Sequence, residues 1–206
     1  MISSIVRTLL LAAIVASPVA AQEWHSLFDG KSLKGWQETG FTNHGEVRVE
    51  DGVIVLGAGN PMTGITWAGA FPKSDYEIRF EAVRQAGNDF FASITFPVGD
   101  SFATWVLGGW GGDIVGISSI DGWDASDNET RSYFTFEAGR WYVFRVQVTD
   151  ARIQAWIDDR PIVNVEIAGR KVGLRYGDIK LSAPLGLASY NTLGAIRKIE
   201  FRAARQ

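Results

Sequence analysis

The chain contains no cysteine. That absence excludes disulfide staples, thiol catalysis and cysteinyl zinc sites, and leaves core burial, or an ion held by oxygen ligands, to stabilise the fold. No strong charge bias exists either: 20 basic residues face 23 acidic ones, for a net charge of −3. Without a basic patch, neither nucleic acid nor an anionic membrane surface is an expected partner. Helical apolar periodicity, tandem repeats and low-complexity linkers are missing, which argues against bundles and solenoids. So are the Gly-x-Ser-x-Gly elbow, the His-Glu-x-x-His helix motif, the phosphate loop and the dinucleotide fingerprint.

The only sustained apolar run lies at the start, and it is short. Arg7 supplies positive charge, Leu9 to Val15 are apolar, and Ser17-Pro18 end the run. Val19-Ala20-Ala21 offers small residues for cleavage before Gln22, so residues 1–21 read as a signal peptide. The run is too short to cross a membrane; the alternative reading is an uncleaved anchor. The remaining 185 residues (206 less the 21 of the leader) suit a single domain, 22–206, with a substantial core. Losing Arg7 leaves 19 basic residues against 23 acidic, a net charge of −4, on a protein expected in the periplasm or outside the cell.

What the chain does have is aromatic residues, glycine and short alternating runs. Val47 and Val49 alternate with Arg48 and Glu50; after Asp51-Gly52 comes a second run, Val53 to Leu56, which predicts a hairpin. Tyr76, Ile78, Phe80 and Ala82 alternate with Glu77, Arg79 and Glu81, the pattern of a half-buried antiparallel strand. Further strands are predicted at 65–70, 90–96, 103–107, 114–120, 131–136, 141–149, 152–157, 162–167, 179–181, 185–190 and 196–202. About a dozen strands in one domain predict an all-β fold, a two-sheet antiparallel jelly-roll sandwich. Trp141 and Trp156 are assigned to its core.

Several stretches resemble the 3-keto-disaccharide hydrolase family. They are W-H-S-L-F-D-G-K-S-L-K-G-W from Trp24, V-E-D-G-V-I-V from Val49, Y-E-I-R-F-E from Tyr76, G-R-W-Y-V-F-R-V-Q-V from Gly139, R-I-Q-A-W-I-D-D-R-P-I-V from Arg152 and the closing I-R-K-I-E-F-R. The resemblance implies a concanavalin A-like jelly roll and, for some members, cleavage of glycosides oxidised at C3. Where many members carry Asn-Ser-Gly, this chain has Gly87-Asn88-Asp89-Phe90.

Three constellations are candidates for chemistry. A C3 ketone acidifies the neighbouring C2 proton, so one base could start an elimination that water addition completes. Glu81 and His44 are the candidate catalytic bases, with Asn88 and Asp89 as substrate contacts; the competing reading pairs Glu81 with neighbouring arginines and leaves His44 an ordinary loop residue. Trp105 and Trp110 are the candidate sugar platforms, because indoles stack on the C–H faces of sugar rings. Trp105 on a strand also fits the core, whereas Trp110, between paired glycines, fits a loop. Asp121, Asp124, Asp127 and Glu129 supply hard oxygen ligands in one loop, so calcium is the expected ion there; the competing reading is a solvated turn. A carbohydrate ligand is the expected partner. The main alternative to an enzyme is a non-catalytic carbohydrate-binding module on the same fold.

Overall fold

Alternating runs with no helical period leave the chain little choice but sheet, and in the computed structural model, which describes residues 22–204, every regular element is a strand except one short 3-10 helix. The leader reading falls outside those residues. In chain order come β1 (His25–Ser26), β2 (Trp36–Glu38), β3 (Val47–Glu50), β4 (Val53–Leu56) and β5 (Met62–Trp67). The middle of the chain forms β6 (Tyr76–Ala86), β7 (Ser93–Val98), β8 (Ser101–Gly109), β9 (Ile114–Ser118) and β10 (Ser132–Tyr133). The last third forms β11 (Trp141–Val148), β12 (Arg152–Ile157), β13 (Arg160–Glu166), β14 (Gly186–Tyr190) and β15 (Leu193–Ala203).

Two antiparallel sheets result. An eight-stranded sheet runs β13-β12-β11-β6-β15-β4-β3, with β1 also pairing β15; a seven-stranded sheet runs β10-β9-β8-β7-β14-β5-β2. The jelly-roll expectation holds, and so does the predicted hairpin, which is β3–β4 in the register Val47↔Leu56.

Alternation decides what each sheet buries. β6 turns Tyr76, Ile78, Phe80 and Ala82 inward, and all four are almost inaccessible. Facing them, β7 and β8 contribute Ile94, Phe96, Ala103, Trp105 and Leu107. Phe80 stacks on Phe144 at 5.3 Å, and Trp105 meets Phe144 edge-on at 5.8 Å. Each such ring contributes about 1.5–3 kcal/mol from burial.

Two expectations are corrected. Trp141 and Trp156 belong to the outer face of the eight-stranded sheet, because Tyr142, Phe144, Ile153 and Ala155 hold the inward parity of their strands. Their rings are covered by the guanidinium groups of Arg197 (4.0 Å) and Arg145 (3.7 Å). The strand predicted at 179–181 is a short 3-10 helix, Asp178–Ser182. Its end is turned by a bond from Ala183 N–H to the Lys180 carbonyl, which returns the chain to β14.

Candidate functional site

The residues of β7, β8 and β9 that do not enter the core point to the other side of the seven-stranded sheet. There Ser93, Thr104, Val106 and Ser118 form the floor of a pocket of about 400 Å³. A floor of short side chains leaves room above the sheet. The Ser93 hydroxyl accepts the Leu107 N–H at 3.0 Å, and Thr104 is bonded to Thr95 at 2.8 Å, so this floor is fixed.

One wall is the turn that follows β8. Trp110 adopts a left-handed backbone (φ 50°) and is 40% exposed at the pocket edge. Glycine is required beside it: at Gly112 (φ 115°) a Cβ would lie 2.8 Å from the Asn88 carbonyl oxygen and 3.0 Å from Arg84 Nη1. Arg84 reaches over from β6 and donates to the Gly112 carbonyl (3.2 Å) and the Phe136 carbonyl (2.6 Å), tying the turn to the sandwich.

Asp89 stands against this turn. Its carboxylate accepts the Phe90 N–H at 2.8 Å and the Gly111 N–H at 3.4 Å. Burial pushes the carboxyl above its ordinary pKa; the two N–H donors and the nearby Arg84 charge only partly offset that. Phe90 and Tyr190, 5.5 Å apart, and Met62 continue the wall.

The opposite wall is the segment 174–178. It is anchored on one side by the loop after β9: Ser119 and Gly173 exchange backbone bonds (2.6 and 3.1 Å), and Asp121 N–H donates to the Lys171 carbonyl at 2.7 Å. From these anchors Arg175 extends over the Trp110 ring (5.5 Å) and donates to Asp124 Oδ2 at 2.7 Å. Tyr176 is fully exposed, and Asp178 and Ile179 complete the lining.

Of the substrate contacts expected from the sequence, Asp89 and Trp110 line this pocket together. Asn88 is exposed beside it and lends only its carbonyl to the packing of Gly112. Trp105 is corrected: with no exposed surface, it is a core residue and meets no ligand.

Glu81 lies away from this pocket. It projects from the outer face of the other sheet, where Arg197 Nε and Lys198 Nζ each donate to it at 2.7 Å. Burial opposes ionisation there, but the two cations outweigh it and hold the carboxyl below its ordinary pKa. His44 is an exposed loop residue, its Nδ1 2.9 Å from the Gly45 carbonyl and 3.8 Å from Glu38, and it does not line the pocket.

In the acidic loop the carboxylates expected to hold calcium each have a partner within the chain. Arg170 pairs with both Asp121 and Glu129, Asp124 takes Ser118 Oγ (2.8 Å) and Arg175, and Asp127 takes Ser126 Oγ (2.6 Å). Among the described residues no three His, Asp or Glu side chains converge to hold a metal ion. The Lys171 N–H and Arg170 hold Asp121 below its ordinary pKa, and the hydrogen bond from Arg170 does the same for Glu129. These carboxylates fasten one loop to another.

Sequence reasoning missed Arg175, Tyr176 and Asp178. A signal existed: Gly173-Leu174-Arg175-Tyr176-Gly177 places an aromatic between glycines, as Gly109-Trp110-Gly111 does.

Comparison with known proteins agrees with this architecture. A family model described as a 3-keto-alpha-glucoside-1,2-lyase-like domain matches residues 23–203. Comparison with curated proteins gives no match. Among solved structures, the Crh5 transglycosylase in complex with NAG is similar at 12% identity and a TM-score of 0.59, over 89% of this chain and 84% of that one. The carbohydrate-binding module CBM66 from Bacillus subtilis aligns at 12% identity and 0.54, over 82% and 96%. A prokaryotic beta-1,3-1,4-glucanase (lichenase) from a mouse hindgut metagenome aligns at 9% and 0.54, over 89% and 99%. At these identities the likeness concerns the fold.

Proposed function

The chain belongs to the 3-keto-alpha-glucoside-1,2-lyase-like domain family, and from that premise we propose that it cleaves glycosides oxidised at C3, with Asp89 as the base. One observation carries the reading. A partly desolvated carboxylate with a raised pKa stands beside an exposed tryptophan in a pocket of about 400 Å³, large enough for a sugar.

In this reading the sugar lies over Ser93, Thr104 and Ser118 and stacks on Trp110, with Phe90 and Tyr190 beside it. The ionised Asp89 takes the proton from C2, which the C3 ketone acidifies. The C2–H electron pair forms a C1=C2 double bond as the C1–O bond breaks, and the leaving oxygen takes a proton from water. The hydroxide left by that water then adds to C1 while Asp89 returns its proton to C2, releasing the 3-keto sugar and restoring the ionised base. Raising a base's pKa by burial strengthens it once ionised, and this supports Asp89 over the paired Glu81.

A non-catalytic sugar-binding module is the second reading, favoured by the exposed rim of Trp110 and Tyr176 (40% and 101%). Incubation with a 3-keto-disaccharide separates the two. Release of sugar that falls at least a hundredfold in Asp89→Asn, with binding retained, supports the lyase; that factor is in the usual range for a general base. Binding without turnover in the unmodified protein supports the module. Undiminished turnover in Asp89→Asn overturns the assignment of the base.

A further inference from the structure

A second, open hollow adjoins the first, and Arg175 and Tyr176 line both. Ser119, Gly122, Asp124, Lys171 and Gly173 complete it. The two hollows differ in charge. The first holds Asp89 and Asp178 against Arg175; the second holds Lys171 and Arg175 against Asp124 alone.

Asp124 is already engaged, taking Ser118 Oγ at 2.8 Å and Arg175 Nη1 at 2.7 Å. Lys171 is not. Its backbone is fixed on both sides, the N–H donating to Asp121 Oδ1 at 2.9 Å and the carbonyl accepting from Asp121 N–H at 2.7 Å. Its ammonium group, however, has no carboxylate at ion-pair distance among the described residues, since Arg170 takes Asp121 and Glu129, and Arg175 takes Asp124. Space is available beside it: a Cβ added at Gly122 or Gly173 would meet nothing within 4 Å. The result is an unspent cation on a rigid backbone, next to a second cation that also overhangs the sugar pocket.

We infer that the joined cleft takes a two-unit glycoside whose second unit is acidic, with the anionic group received by Lys171 and Arg175. This rests on the reading of the first pocket as a sugar site and specifies which glycosides it prefers. A carboxylate (a uronic unit) and a sulfate ester present the same chemistry, an oxyanion accepting charge-assisted hydrogen bonds.

The test is calorimetric titration of the full-length protein, at low and at physiological salt, with three unoxidised disaccharides. One is neutral, one carries a carboxylate at C6 of its aglycone unit, and one carries a 6-sulfate there. Lacking the ketone, none has an acidified C2 proton, so binding is read without turnover. At least one acidic ligand is expected to bind roughly tenfold more tightly than the neutral one, an advantage that salt reduces. Lys171→Gln should remove most of that advantage and leave the neutral affinity unchanged, and Lys171→Arg should restore it. A preference for carboxylate alone or for sulfate alone identifies the source and supports the inference. Equal binding of neutral and acidic ligands overturns it, as does a Lys171→Gln loss shared by all three. If none of the three binds, this inference falls, and the 3-keto-disaccharide assay decides separately whether the sugar-site reading falls with it.

Discussion

Asp89 and Glu81 are close in sequence and opposite in circumstance. Glu81 has two cations at 2.7 Å; Asp89 has two N–H donors and partial burial. Replacing Glu81 with Gln should therefore leave sugar binding and turnover unchanged while lowering stability by about 1–2 kcal/mol, read from urea unfolding, because two cations lose their partner. Asp89 is expected to behave the other way. Its folded pKa is raised, so its contribution to stability is full below the unfolded pKa and is lost as pH rises through the folded value. Turnover that needs its ionised form should rise over that same interval, and Asp89→Asn should be more stable than the parent at neutral pH. A pH-rate profile without an acid limb above the ordinary carboxylate range would contradict this. The sequence placed Glu81 opposite Phe80 and Ala82 correctly, by alternation. It could not show that Arg197, 116 residues away, would lie across from it. Trp105 was ambiguous for the same reason, since period two gives two faces without saying which is covered.

At the scale of elements, the loop after β9 and the segment 169–177 behave as one unit, because Arg170, Asp121 and Glu129 join them. Both carboxylates have depressed pKa values. The stability they add is present above their unfolded pKa values and is lost as pH falls through the folded ones. Backbone hydrogen exchange in 169–177, taken relative to its intrinsic rate at each pH, is thus expected to accelerate on acidification while the core strands stay protected. Arg170→Gln should produce the same acceleration at neutral pH. Excess calcium should leave the melting temperature unchanged, since the loop's carboxylates are already held by Arg170, Arg175 and Ser126. A calcium-dependent rise, reversed by a chelator, would show that they regroup around the ion. Acidic residue types were legible in the sequence. Their purpose was not, because Arg170 and Arg175 come 41 or more residues later in the chain.

Over the whole molecule, one continuous core joins the two sheets, so events on their outer faces are reported by a single unfolding transition. Strand positions and fold class could be read from alternation, and the family resemblance extended them. Strand order could not, because β15 must find β4, β6 and β1, and β14 must enter between β7 and β5. That closure creates the arginine-rich outer face of the eight-stranded sheet, where Glu77 is buried between Arg202 (Nε, 2.7 Å) and Arg145 (3.4 Å). Arg202 and Arg79 in turn cover the Trp24 ring at 4.4 and 4.0 Å. Glu77→Gln leaves the arginines without their shared anion and should cost about 2–4 kcal/mol, since removing one partner of a buried pair strands the others. Because the pocket of Asp89 and Trp110 lies on the far sheet's outer face, ligand affinity should not change, and near- and far-ultraviolet circular dichroism should still melt together. Separate transitions would mean that the sheets unfold independently, and weakened sugar binding would mean that the two outer faces communicate through the core.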